Sequence, residues 1–405
     1  MNASPASAVS VRTRLPGFLI SVIGVVLVGL NLRIAITSIP PLLASLGLSS
    51  MAQSLLVTLP VLCFAAGAPA GPRLRRILGE EKAIFLLISL LALGIVVRGA
   101  FPSVALFPAT LACALSIAVI NVHVPSLVKR RFPDRPGLIM SLYTTAFLLG
   151  AGIAAWLAVP AKEALGNSLR LGLGVWMLPA VVALVLWSPQ LRVRKPEIPQ
   201  ARMGGETLVW RNPIAWQVTV FMGTSSCIFF GVFSWLPQID TTRGISTSTS
   251  GYLLLLAIVF GIVGSMGAPT LARRFADQRP AVVIFSLIQI AGFLGLFLAP
   301  PHTAILWAAI FGVGNGGTLS LSLLLIVLRS ADEHVAARLS SMAQSAGYLI
   351  AATGPLVTGL LHALLGGWSA PIGFLLLAGI ACLVAGFPAG CKRVVGGAPI
   401  KTWSP

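Results

Sequence analysis

The sequence predicts an all-α integral membrane protein of twelve transmembrane helices in two six-helix bundles. Three observations carry that expectation. Apolar runs long enough to span a bilayer recur from end to end, basic residues cluster between them on one side, and the second half repeats features of the first. The chain has 405 residues, of which 57% are hydrophobic and 9% charged, with a mean hydropathy of +0.94. A soluble domain carries about 25% charged residues. Strands of a membrane barrel would be about half as long as these runs and would alternate in polarity.

The first six runs are 16–40, 51–71, 83–99, 102–127, 138–160 and 169–188. The first resembles a signal peptide because Arg12 and Arg14 precede it. It is too long for a signal's apolar region, and no small-residue cleavage site precedes the next polar turn, so a retained span is expected. Residues 189–212 are the one long polar, Pro-containing stretch, and they read as a cytoplasmic linker. The remaining runs are 213–238, 249–270, 281–299, 303–328, 339–363 and 369–388. The expected organisation is therefore an N-terminal bundle at 1–188, the linker at 189–212, and a C-terminal bundle with a short cytoplasmic tail at 213–405.

Charge placement supports this alternation. Of the 28 Lys and Arg residues, Arg98, Lys162, Arg170 and Arg243 fall on one side and Arg33 inside a run; all others fall on the opposite side. Such an imbalance puts both termini in the cytoplasm. The net charge of +18 thus reflects orientation in a lipid bilayer, and a nucleic-acid partner is not expected. The five cysteines show neither a disulfide framework nor metal-ligand spacing.

The repeat is visible at three places. Gly67, Pro72, Leu74 and Arg76 match Gly264, Pro269, Leu271 and Arg273 at an offset of 197. Ser38 and Pro41 match Ser234 and Pro237 at 196, and Ser141 and Leu149 match Ser341 and Leu349 at 200. A nearly constant offset argues for parallel duplication of a six-helix unit. The glycines of Gly312-x-Gly314-x-Gly316-Gly317 and Gly150-x-Gly152 lie mid-run with no preceding strand. Close helix packing explains them better than a dinucleotide fingerprint.

Arg33 is the most informative polar residue. A charge at that depth costs roughly 2.5–3.5 kcal/mol on the insertion scale. Gly29, Arg33, Thr37 and Pro40 share a helix face. The ten acids all fall in expected loops or at span ends, so Arg33 has no evident buried partner, and a water-filled cavity holding an anion is the economical reason for it. Asn31, Asn121, His123, Asn315 and Gln344 are the other candidates. Amides inside spans either bond across helices or point donors at a ligand, and a histidine can carry a proton. Tyr143 and Tyr348 are candidate walls. The substrate-binding candidates are thus Arg33, Asn31, Thr37, Asn121, His123, Tyr143, Asn315, Gln344 and Tyr348. No phosphate-binding loop, nucleophile–base pair or metal cluster is present. An ATP-driven pump and an enzyme are therefore not expected, and neither is a cofactor or a metal.

Two motifs carry a family resemblance. Asn31-Leu32-Arg33-x-Ala35-x-Thr37-Ser38-x-x-Pro41-Leu42-Leu43 closes the first run, and Asn121-Val122-x-x-Pro125-x-Leu127-Val128-Lys129-Arg130-x-Phe132-Pro133 closes the fourth. Both resemble the cyanate transporter / 2-nitroimidazole transporter branch of the major facilitator superfamily. The loop from Gly71 to Gly79 departs from the superfamily's usual loop, which places an Asp before its basic cluster; Arg73, Arg75 and Arg76 keep the positive charge. The resemblance implies transport of a small, cyanate-like anion or a small polar organic solute across a bacterial inner membrane, and a secondary transporter working by alternating access is expected. The expected substrate is a small monovalent anion, because one unpaired Arg matches one negative charge. Efflux of a 2-nitroimidazole-like compound is the alternative. A non-transporting receptor or scaffold is a second alternative, although that class usually adds a sizeable soluble domain. A monomer is expected.

Overall fold

The computed structural model describes residues 15–39, 42, 48, 50–192 and 209–396. Pro40, Pro41 and most of the expected linker lie outside the described residues. The first half comprises α1 (Leu15–Thr37), α2 (Ser50–Gly67), α3 (Ala70–Leu78), α4 (Glu80–Ala100), α5 (Pro102–Arg131), α6 (Pro136–Ala164), α7 (Leu169–Gly174) and α8 (Met177–Trp187). The second comprises α9 (Pro213–Thr242), α10 (Thr247–Ala272), α11 (Arg279–Leu298), α12 (Ala304–Leu328), α13 (Glu333–Leu365) and α14 (Ser369–Ala389). Eleven stretches among the described residues are long and apolar enough to cross a membrane. The expected span 51–71 coincides with α2, a helix of 18 residues.

Helix starts follow local chemistry. Pro102, Pro136, Pro213 and Pro280 sit in first turns, where a missing N–H costs nothing. Asn212, Ser246 and Asp332 accept hydrogen bonds from the first-turn amides of α9, α10 and α13. The left-handed Gly366 (φ 68°) ends α13. The run 169–188, expected as one helix, is broken between α7 and α8. Gly172 and Gly174 weaken the helix there, and Pro179 cannot donate to the preceding turn.

Three readings of charge need correction. Glu80 and Glu81, counted as loop residues, form the first turn of α4 and are 1% and 6% exposed. Asp240 lies in the last turn of α9 and is buried. Arg98, which the charge count assigns to the side opposite the basic one at the end of the run 83–99, is fully buried in the last turn of α4 and donates to the Ala35 carbonyl at 2.7 Å. Ala35 is in the last turn of α1, where carbonyls lack intrahelical partners and a cation is favourable. Arg98 is therefore a clamp on the end of the helix that carries Arg33.

The helices pack as a duplicated unit. In the first half α1 lies on α6, and α5 lies on α2 and α4; in the second, α9 lies on α13, and α12 lies on α10 and α11. Contacts between halves run chiefly through α6 with α10 and through α13 with α2 and α5. Small residues permit the tight crossings. A Cβ on Gly150 would overlap the Leu30 carbonyl of α1, and one on Gly354 would overlap the Cys227 carbonyl of α9. In the α12 glycine run, Gly312 and Gly316 meet Ala257 and Gly261 of α10, while Gly314 and Gly317 meet Gln289 and Phe285 of α11.

The two interfaces between halves are sealed near one end by equivalent hydrogen bonds. Ser141 of α6 donates to the Ser265 carbonyl of α10 at 2.9 Å. Ser341 of α13 donates to the Ala68 carbonyl, just after α2, at 3.0 Å. The donors are 200 residues apart and the acceptors 197, the offsets at which the sequence repeats. Interhelical bonds of this kind contribute about 0.6 kcal/mol each. Closer to the same end, Arg75 donates to Glu80 Oε1 at 2.8 Å and to His334 Nδ1 at 2.8 Å, and faces Glu333 at 3.4 Å. This end carries the basic residues and is called the basic end below.

Candidate functional site

Beyond the serine seal, on the side away from the basic end, the bundles enclose a cavity of about 630 Å³. On every helix that contributes to both, the lining residues lie farther from the basic end than the seal residues. On α13 the seal uses Ser341 and the lining begins at Tyr348; on α6 the seal uses Ser141 and the lining begins at Phe147. Most of the wall is hydrocarbon, as is usual for ligand sites.

Arg33 projects into this cavity from α1. Its guanidinium carbon stands 4.3 Å from the Phe147 ring centroid and 6.0 Å from that of Phe230. Phe147 belongs to the first bundle and Phe230 to the second, so the cation sits at the seam. The aromatic belt continues through Tyr348, 6.5 Å from Phe230, to Phe64, 5.0 Å from Tyr348. Stacking on ring faces stabilises a cation by about 0.5–2 kcal/mol, which is less than the cost of its desolvation. Among the described residues Arg33 has no carboxylate partner. The ion pairs there join Arg75, Arg130 and Arg131 to Glu80, Glu81 and Glu333, Arg243 to Asp240, and Arg279 to Asp277. The guanidinium edge is thus left to an incoming group.

Of the nine residues expected at the site, the cavity brings together Arg33, Thr37, Asn315 and Tyr348. Thr37 Oγ1 donates to the Arg33 carbonyl at 2.7 Å and secures the last turn of α1. Asn315 uses its Oδ1 to accept from Gln289 Nε2 at 3.0 Å, so its amide N–H group is what remains for the cavity. The other five do not line the cavity. Asn31 ties α1 to α8 by donating to the carbonyls of Leu27 and Pro179 at 2.8 and 3.1 Å. Asn121 and Tyr143 pair with each other at 2.6 Å, and the Asn121 carbonyl accepts from Ser340, which puts both in the seal. Gln344 is buried between the seal residue Ser341 and the wall residue Tyr348. His123 is fully buried, and among the described residues neither ring nitrogen has a hydrogen-bond partner.

The sequence reading missed most of the wall. Ser225, Ser226 and Ser234 of α9 line the cavity with Phe229, Phe230 and Phe233. A signal was available: these positions recur at helical spacing on one face of α9, and Phe229 and Phe230 occupy the register of Arg33 under the repeat offsets of 196 and 197.

Two six-helix bundles around a central cavity, sealed at one end by bonds between the bundles, are the build of a solute transporter. The comparisons agree. A family model described as Major Facilitator Superfamily matches residues 21–355, and the chain belongs to that superfamily. It is 36% identical over 377 residues to the uncharacterized transporter YycB of Bacillus subtilis (strain 168), covering 92% of this chain and 94% of the relative. It is 32% identical over 382 residues to the 2-nitroimidazole transporter of Escherichia coli (strain K12), covering 93% and 97%. It is also 32% identical over 352 residues to the cyanate transport protein CynX of Escherichia coli (strain K12), covering 85% and 90%. Among solved structures, FucP in the outward conformation superposes with a TM-score of 0.72 at 14% identity, covering 91% of this chain and 98% of that one. That likeness concerns the fold. The chain is a multi-pass membrane transporter, and its family and relatives are transporters rather than enzymes.

Proposed function

We propose that the protein moves a small anion across the bacterial inner membrane by alternating access, with Arg33 as the substrate's counter-charge. The observation that carries this reading is an arginine in the cavity, at the seam of the bundles, without an acidic partner. An intramembrane cation is a functional residue by default, and a binding site between the bundles near the midplane is where rocking changes access. The positive-inside rule puts the basic end and both termini in the cytoplasm. The cavity then lies on the periplasmic side of the seal. Asn121, Tyr143 and Gln344 sit where a seal must open, so their contacts with substrate belong to the other half of the cycle. The protein works as a monomer, its bundles at 1–188 and 213–405 rocking about the linker at 189–212.

A second reading has its own support: the aromatic belt around Arg33 also suits a 2-nitroimidazole-like ring, with the guanidinium donating to the nitro oxygens. The test is transport in proteoliposomes. Arg33→Ala abolishes substrate-dependent flux while the thermal midpoint is kept. Arg33→Lys restores it only in part, because an ammonium lacks the planar fork. Normal flux through Arg33→Ala removes Arg33 from the site.

A further inference from the structure

The cavity is far larger than a triatomic anion requires. A water molecule's share of liquid volume is about 30 Å³, and a cavity of roughly 150 Å³ accommodates benzene; this one measures about 630 Å³. A small inorganic anion is strongly hydrated, and stripping its water is costly unless donors replace it. Here the donors are the Arg33 guanidinium, the amide of Asn315 and a few hydroxyls, set in a wall of Phe, Leu, Ile and Pro. Such a wall cannot replace a full hydration shell.

The same wall is well matched to a flat apolar body. Four rings from four helices line the cavity with Arg33: Phe147 of α6 and Phe230 of α9 lie against the guanidinium, and Tyr348 of α13 and Phe64 of α2 continue the belt from Phe230. Rings at such spacing accept another ring in offset or edge-to-face contact. The guanidinium lies over Phe147 at 4.3 Å, which occupies one face and leaves its N–H edge for the two oxygens of a carboxylate. We infer that the cavity selects a planar aromatic monocarboxylate: the carboxylate pairs with Arg33, and the ring is held by the belt of Phe64, Phe147, Phe230 and Tyr348. This inference rests on the reading of the cavity as the transport site. It names the substrate class for that site.

The experiment uses the purified full-length protein and four probes: benzoate, cyclohexanecarboxylate, benzamide and cyanate. Binding is read by calorimetry, and flux in proteoliposomes. Benzoate binds best. Cyclohexanecarboxylate keeps the charge but loses the flat ring and binds roughly threefold to tenfold more weakly, the range of an aromatic pair. Benzamide keeps the ring but loses the charge and binds on the order of 30-fold more weakly, as does benzoate to Arg33→Ala. Phe147→Leu, which leaves the charge in place, erases the preference for benzoate over cyclohexanecarboxylate. The inference is overturned if cyanate matches benzoate, if the two carboxylates bind alike, or if benzoate fails to bind at concentrations on the order of 10 mM. If cyanate flux depends on Arg33 and benzoate does not move, the site stands and the substrate class falls. If every flux is unchanged in Arg33→Ala, the reading of the site itself falls.

Discussion

The two halves of the molecule share a backbone plan but carry different chemistry at equivalent places. Near the basic end of the first half, Arg131 at the end of α5 pairs with Glu81 at the start of α4, at 2.7 Å. At an offset of 197–198 residues, Arg329 after α12 pairs with Gln278 just before α11. The geometry is kept and the acid has become an amide. Arg131 donates also to Gln190 at 2.7 Å, whereas Arg329 donates to the carbonyls of Ala389 and Gly390 at 2.8 and 2.9 Å. At the cavity the contrast recurs: Arg33 of α1 shares the wall with Phe229 and Phe230 of α9, its counterparts in register, and its guanidinium carbon stands 6.0 Å from the Phe230 ring centroid. Bonds to the backbone, such as Ser141 to Ser265 and Ser341 to Ala68, are duplicated. The Glu81 carboxylate and the Arg33 cation are not: Gln278 and Phe229 or Phe230 stand in their places. The scaffold's symmetry suits rocking, and the breaking of that symmetry supplies a cation for the substrate and an aromatic face beside it.

Exchanging the chemistry of the halves tests this most severely at the cavity. Arg33→Ala removes the charge that the second half lacks at this register and lowers flux on the order of 30-fold or more, as expected when a buried charge partner is removed. The measurement is initial flux in proteoliposomes at matched protein incorporation. Phe230→Leu removes only a ring face near the guanidinium and lowers flux by roughly threefold to tenfold. Equal losses in the two variants would mean that the cation's charge is not what the cavity uses.

The paired arginines come next, and their difference is expected in stability. Arg131→Ala removes one of the two guanidinium partners of Glu81, whose side chain is 8% exposed; breaking a buried pair costs about 3–5 kcal/mol. Glu81 retains Arg130 as a partner, which places the loss at the lower end. Arg329→Ala strands only carbonyls and an amide and costs about 1–3 kcal/mol. Burial lowers the Arg329 guanidinium to about 10, so it stays charged at neutral pH and its bonds to neutral acceptors remain charge-assisted. Thermal unfolding in detergent ranks the two variants. The reverse ranking would show that the acid in the first half carries no special weight.

These contrasts also show what was legible in the chain. Hydropathy length and the one-sided basic residues specify the passes, because a bilayer leaves a spanning backbone no choice but the helix. The repeat offsets were readable because serine donors and glycine crossings recur at fixed distances. Arg33 stood out because its neighbours in sequence are apolar. Asn31, Asn121, His123, Tyr143 and Gln344 look like Arg33 at that level, yet only burial and partners separate a residue that ties helices together from one that lines a cavity. Glu80 and Glu81 fall outside the expected runs and Arg98 at the end of one, and a few residues at a helix end decide whether a charge meets water or a neighbouring helix. The phenylalanines of α9 were hidden by their ordinariness in an apolar run; only the cavity gives them a role.

The smallest expected effect is the sharpest test of the duplication. Ser141→Ala and Ser341→Ala each remove one hydroxyl donor from equivalent seals. The residues four positions on, Pro269 and Pro72, have no N–H to give these carbonyls, but Ser265 still accepts from Ser320 and Ala68 from the Gly71 amide at 3.1 Å, so the cost is about 0.6 kcal/mol, the average for bonds between membrane helices. The two losses should match, and the double variant should show their sum, because the seals lie on opposite interfaces and share no partner. Ser265 adds a control within one seal: its carbonyl also accepts from Ser320 at 2.9 Å. Ser320→Ala combined with Ser141→Ala removes both side-chain donors to that carbonyl and should cost more than the sum of the single losses. In transport terms, weakening either seal shifts the population toward opening at the basic end. Accessibility of a cysteine placed at Ala343, in an otherwise cysteine-free protein, should rise to a similar degree in both single variants. Labelling that rises in only one of them would mean that the two interfaces do not open together.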